Sequence, residues 1–267
     1  GVVMAYGYDN ANQLTSIAYS KGGTTIGDLA YAYDAAGRRT SVTGSLATAD
    51  LPAAVTSAAH NANNQLTSWA GATLTYDLNG NLTGDGTNTY TWNARDQLAS
   101  LSGGSSASFV YDGVGRRRSK TIGSMQTGFL YDGVNFVQEL TGSTVNANLI
   151  TGGIDEVLLR KEGSTARHFM SDALGSVIAL TDAAGAVQTQ YSFEPYGKTT
   201  VTGSANSNSQ RFTGREEDST GIYYYRARYF SPQLSRFIAE DPIGWQSGQT
   251  NDYQYVWANP VSFVDPL

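Results

Sequence analysis

The chain has 267 residues, 15% of them charged, with a net charge of −6. That balance gives no basic footprint for nucleic acid, and no run reaches the roughly 18 apolar residues of a membrane span. With no cysteine and only two histidines, His60 and His168, a disulfide framework, a thiolate zinc site and a His-rich metal site are excluded, and no cofactor fingerprint appears.

Thirty glycines and 17 tyrosines against six prolines predict many short strands and turns, an all-β chain. The first residues, Gly1 to Asn10, lack a basic-then-apolar signal pattern. The chain begins inside a repeat, so it reads as a fragment of something longer, with an open strand edge expected at Gly1.

Repeats dominate residues 1–140. The unit is an aromatic, then Asp or Asn, then Gly or Asn three residues later: Tyr8-Asp9 with Asn12, Tyr33-Asp34 with Gly37, Tyr76-Asp77 with Gly80, Tyr111-Asp112 with Gly115. Trp92-Asn93 with Asp96 and Tyr131-Asp132 with Asn135 are looser copies, and Gln13-Leu14-Thr15-Ser16 returns as Gln65-Leu66-Thr67-Ser68. Asp or Asn accepts hydrogen bonds from the backbone two residues on, and Gly or Asn takes positive φ cheaply. Together they predict a hairpin with a bulge. Each unit is then one hairpin, with Tyr8, Tyr33, Tyr76 and Tyr111 expected to be substantially buried. Arg38, Arg39, Arg116, Arg117 and Arg118 open outgoing strands, the last three as a basic patch on a solvent face.

Ala47 to Ala62 is Ala-rich and holds Pro52; it reads as a loop with one helical turn. Ser102 to Ser106 is a hairpin tip, and Thr202 to Gln210 a polar loop open to proteolytic nicking. Gly221 to Phe230 (GIYYYRARYF) reads as one strand, stopped by Ser231-Pro232. Asp241-Pro242 and Asp265-Pro266 stand 24 positions apart, with Asn259-Pro260 before the second.

The units resemble the tyrosine-aspartate (YD) repeats of bacterial Rhs proteins. From about residue 166 the chain also resembles the Rhs repeat-associated core. The matching residues are Asp172-Ala173-Leu174-Gly175-Ser176-Val177, Phe193-Glu194-Pro195-Tyr196-Gly197, Phe212-Thr213-Gly214-Arg215-Glu216, Gly221 to Tyr229, Arg236-Phe237, Asp241-Pro242-Ile243-Gly244, Asn259-Pro260 and Asp265-Pro266. The expected organisation is a YD-repeat region, 1–165, and a core, 166–267. The resemblance implies β-hairpins in a spiralling antiparallel sheet, part of a hollow shell related to Tc toxin C components. It implies a toxin domain enclosed by that shell, further YD repeats upstream, delivery by machinery such as a secretion-system spike, and a secreted or cell-surface place in bacterial competition.

It also implies an aspartyl self-cleavage site, with Asp241 and Asp265 as the catalytic pair and Arg236 as the cation that positions them. Two close carboxylates do not both ionise easily, so one activates water while the other protonates the departing group. On residue type alone, each Asp-Pro is an ordinary turn. Asp252 is a second candidate, although the family carries an apolar residue near there. The family pattern ends Asp-Pro-x-Gly-Leu, with the cleaved bond after that Leu, whereas this sequence stops at Leu267. The expected activity therefore belongs to the parent chain, as a self-cleaving aspartyl protease without turnover.

His60 and His168 read as turn and strand residues, Glu216-Glu217-Asp218 as a solvated acidic hairpin, and Trp69, Trp92, Trp245 and Trp257 as layer-filling aromatics. Three functions compete: a toxin-enclosing, self-cleaving Rhs shell, a surface YD-repeat protein in adhesion or carbohydrate binding, and a passive scaffold.

Overall fold

A computed structural model describes residues 1–266; Leu267, beside the expected cleavage point, lies outside the described residues. The backbone is nearly all antiparallel β, as the composition predicts. It forms two compact units. One holds residues 1–51, 146–215 and 261–264; the other holds 52–145 and 216–260 with Asp265 and Pro266.

In the first unit, Val3–Tyr8, Leu14–Lys21, Thr24–Tyr33 and Arg39–Thr43 pair in chain order. So do Val157–Glu162, Thr165–Ser171, Val177–Thr181, Val187–Phe193 and Thr199–Gly203. Ile17, Tyr19, Leu29 and Tyr31 pack against Met170, Ile178 and Ala179. The step from 165 to 166 falls inside the strand Thr165–Ser171.

In the second unit, strands from Thr75–Tyr76 to Asn135–Thr141 follow one another as hairpins. A separate four-stranded sheet is built from Glu216–Glu217, Tyr223–Tyr225, Arg228–Ser231 and Arg236–Phe237. Leu66, Leu82, Leu98 and Phe109 from the hairpins share a core with Ile222, Tyr224, Tyr229 and Ile238.

The repeat unit has two distinct jobs, and each half of the motif does one. The carboxylate builds its own turn. Asp77 Oδ1 accepts the N–H groups of Asn79 and Asn81, both at 2.9 Å, and Asp34 and Asp112 do the same. Gly37, Gly80 and Gly115 close the turns at φ of 76°, 78° and 90°, and the strand register shifts at Tyr33, Tyr76 and Tyr111. This is the bulged hairpin expected from spacing.

The aromatic ties its hairpin to the preceding one. Tyr33 donates to the carbonyl of Leu14, Tyr76 to Leu66, Trp92 to Leu82, Tyr111 to Leu98 and Tyr131 to Arg117. Every acceptor is the fifth residue after the previous turn's Asp or Asn. That position points inward: Leu66, Leu82, Leu98 and Arg117 are at most 1% exposed.

Several local expectations give way. Tyr8 is 61% exposed because it ends an edge strand. Ala47 to Ala62 holds no helical turn; residues 47–57 have no regular structure and lead to the short strand Ala58–His60. The polar loop is exposed at residues 202–205 and at Ser207, as expected, but its end, Asn208, Ser209 and Gln210, is buried, with Asn208 donating to the Tyr191 hydroxyl. Gly221 to Phe230 is a hairpin rather than one strand. Tyr225 pairs with Arg228, and Arg226 takes φ of 60° at the turn.

Candidate functional site

That hairpin decides where the arginines go. Placing Arg228 opposite Tyr225 at the start of a strand turns its side chain into the unit. Its guanidinium lies 3.6 Å from the centre of the Phe237 ring, a cation–π contact. Phe237 belongs to an aromatic block with Tyr225, Phe230 and Tyr255.

Arg228 collects the acids of the C-terminal segment. Nη2 lies 2.9 Å from Asp241 Oδ2 and 3.5 Å from Asp265 Oδ2, and Nη1 donates to the Asp252 carbonyl at 3.0 Å. Burial disfavours the guanidinium charge and lowers its pKa, while Asp241, Asp265 and Asp252 oppose that shift in turn. An arginine keeps its proton under such a load.

Each acid is aimed by its own local structure. Asp241 Oδ1 accepts the Ile243 N–H at 3.1 Å and its carbonyl accepts the Gly244 N–H at 2.9 Å, an Asx-type turn. Asp265 is carried by a tail that first reverses. Val256, Trp257 and Ala258 take φ of 40°, 52° and 57°, three consecutive left-handed residues. Such backbone is costly without glycine. Beyond it, the Pro266 carbonyl accepts from Arg226 Nη1 at 2.5 Å.

Thus Asp241 and Asp265 meet on one cation, and that cation is Arg228. Arg236, expected in this place, points elsewhere. Its Nη1 donates to the Asn64 carbonyl at 2.8 Å, and it lies over the Tyr253 ring. Burial lowers its pKa while hydrogen bonding to Tyr76 opposes the shift. Arg236–Phe237 forms a strand of its own, which sends residue 236 to the face opposite Phe237. Asp252 contributes its carbonyl, and its side-chain Oδ1 is buried and accepts no hydrogen bond. Among the described residues no group of three or more His, Cys, Asp or Glu side chains is placed to hold a metal ion.

A second buried charge cluster lies in the same unit. Arg117 is fully buried and contacts Glu216 Oε2 at 2.5 Å and Asp218 Oδ2; Lys120 Nζ reaches Asp218 Oδ1 at 2.5 Å. The Arg117 guanidinium is walled by the rings of Phe109, Phe129 and Tyr224. Burial works against the charge on Asp218, yet Arg117 and Lys120 outweigh it and hold that carboxyl down at about 2. Glu216 is pushed up by burial. The acidic stretch 216–218 is therefore not a solvated hairpin, and the basic run 116–118 is not one solvent face. Arg117 stands at the fifth position after Asp112, the inward site held by Leu in other repeats, and that register is the signal that marks it as buried.

Comparison with known proteins follows the same lines. The Teneurin YD-shell family model matches residues 2–261. The tRNA nuclease WapA of Bacillus subtilis is 32% identical over 273 residues, covering 97% of this chain and 11% of that protein. The double-stranded DNA deaminase toxin A of Burkholderia cenocepacia is 28% identical over 317 residues, covering 98% of this chain and 22% of that protein. The crystal structure of TcdB2-TccC3-Cdc42 shares the fold with a TM-score of 0.71 at 20% identity, over 99% of this chain and 18% of that one. The Photorhabdus luminescens Tc holotoxin pore gives 0.67 at 18% identity, over 99% and 18%. The chain thus spans about a tenth of the length of the WapA proteins it resembles. With tyrosine–aspartate hairpins along its length and a family match over 2–261, the chain belongs to the Teneurin YD-shell family.

Proposed function

We propose that this chain is part of a YD shell that encloses a toxin domain and frees it by aspartyl self-cleavage just beyond Leu267. Similarity to a tRNA nuclease and a DNA deaminase toxin supports a toxic cargo carried by the same polypeptide, and such cargo implies export from the producing bacterium. The observation that carries the cleavage reading is the convergence of Asp241 Oδ2 and Asp265 Oδ2 on one Arg228 nitrogen.

In this reading the ionised carboxylate takes a proton from water as the water oxygen bonds to the scissile carbonyl carbon. The protonated partner hydrogen-bonds the carbonyl oxygen, and a proton then passes to the departing amine as the C–N bond breaks. Arg228 keeps the two acids together and compensates their charge. The side chains of Asp241 and Asp265 are 11% and 22% exposed, which leaves water access to the pair.

The test is the chain continued by Gly-Leu and a reporter domain. It is expected to split after that Leu, with Asp241→Asn and Asp265→Asn each leaving it whole while circular dichroism stays unchanged. An intact wild type, or normal splitting of both variants, overturns the reading.

A further inference from the structure

We infer that Arg226 is a tail-holding, positioning residue of the candidate site: its guanidinium grips the Pro266 carbonyl and so sets where the Asp265 carboxylate stands. The inference rests on the self-cleavage reading for what the positioned acid does.

Arg226 stands where an arginine is costly. It is the first of the two residues that turn the hairpin between Tyr225 and Arg228, and its φ is 60°. Two-residue hairpins place Gly, Asn or Asp at such a position, because a longer side chain crowds the left-handed backbone. Residues held in unfavourable backbone gather at ligand clamps and active sites, where the surroundings offset the cost. Here the offset is visible. Arg226 Nη1 donates to the Pro266 carbonyl at 2.5 Å, a hydrogen bond strengthened by the guanidinium charge.

The gripped carbonyl lies next to an acid of the pair. Arg228, two residues on, holds the Asp265 carboxylate through Nη2 at 3.5 Å. The turn and its outgoing strand therefore take hold of two consecutive tail residues, Asp265 by its side chain and Pro266 by its backbone. The contact to Asp265 is longer than the 2.9 Å from Arg228 to Asp241, so the backbone grip adds to the placing of the second acid. Proline makes that grip stiff. Its ring fixes φ, the peptide before it is planar, and the residue before it is confined to extended backbone. Between the held carbonyl and the Asp265 Cα, one soft torsion remains.

Arg226→Gly separates positioning from scaffold, because the two roles move in opposite directions. Gly relaxes the turn, so the urea midpoint of the variant should equal or exceed that of the wild type, while the tail loses its hold. In the 267-residue protein, the order parameter of the Asp265 amide, read by nuclear magnetic relaxation, should fall from the rigid range to below about 0.6. In the chain continued by Gly-Leu and a reporter, splitting should slow about fivefold, the worth of one hydrogen bond open to water. Arg226→Lys, which keeps a charged donor, should restore part of both. Splitting of Arg226→Gly at the wild-type rate, or an Asp265 amide as ordered as in the wild type, overturns the inference and leaves self-cleavage standing. Slower splitting with a lowered urea midpoint also overturns it, since the role of Arg226 is then that of scaffold. A tail loosened by Arg226→Gly in a chain that never splits supports the hold on Pro266 and rejects the self-cleavage reading.

Discussion

Two buried arginines in one unit keep very different company. Arg117 and Lys120 face Glu216 and Asp218, two cations against two contacting acids, inside a cage of aromatic rings. Arg228 contacts Asp241 and Asp265, and the Asp252 carboxylate also acts on it. The side chains of the first cluster are at most about a tenth exposed, and Glu139 adds a third acid that acts on Glu216. In the second, Asp265 is the more open to water, at 22%. Closure separates the two: the first is sealed and fixes two segments together, and the second leaves its carboxylates within reach of water.

The largest expected effect is on the closed cluster. Asp218→Ala leaves Arg117 with Glu216 alone of its two contacting acids, takes from Lys120 the acid it contacts, and should cost about 3–5 kcal/mol in urea unfolding. Should that loss be no greater than for Asp265→Asn, the distinction between the clusters fails. The acid limb of stability is the next. Asp218 is held at about 2 in the folded state against about 3.9 unfolded. A depressed carboxyl stabilises above its unfolded value and loses that contribution as pH falls through the folded one. Stability should therefore drop between about pH 4 and pH 2 by about 2 kcal/mol, and Asp218→Asn should flatten that drop. Glu216, raised by burial, runs the opposite way, its contribution growing as pH falls.

Arg228→Met should cost less, about 1–2 kcal/mol in the same assay, because the released acids have water to turn to. A loss equal to that of Asp218→Ala would mean that Arg228 also serves as scaffold. The smallest effect concerns the tail that delivers Asp265. Ala258 is left-handed, at φ of 57°, so Ala258→Gly should raise stability by about 0.5–1 kcal/mol, read as a higher denaturant midpoint.

Much of this architecture is legible in the residues because the hairpin unit is local. Asp, Gly and the aromatic act within one turn or on the neighbouring hairpin, so spacing alone finds the turns at Asp34, Asp77 and Asp112. The pairing of Asp241 with Asp265 is legible too, through resemblance rather than spacing. What escapes the sequence is the direction in which charged side chains point. Arg226-Ala227 turns without glycine, which hid the hairpin and with it the inward face of Arg228. Arg236 looked suitable because it adjoins Phe237, yet strand alternation sends the two to opposite faces. Arg117 looked solvated within a run of three arginines, although counting five from Asp112 puts it on the Leu row. The acids at 216 and 218 could not be placed before that cation was.

The most direct test is an intact-mass time course of the chain continued by Gly-Leu and a reporter, with Arg228→Gln set beside Arg236→Gln. The arrangement of the acids on Arg228 predicts that Arg228→Gln stays whole while Arg236→Gln splits like the wild type. Splitting that survives Arg228→Gln and stops in a folded Arg236→Gln would contradict it.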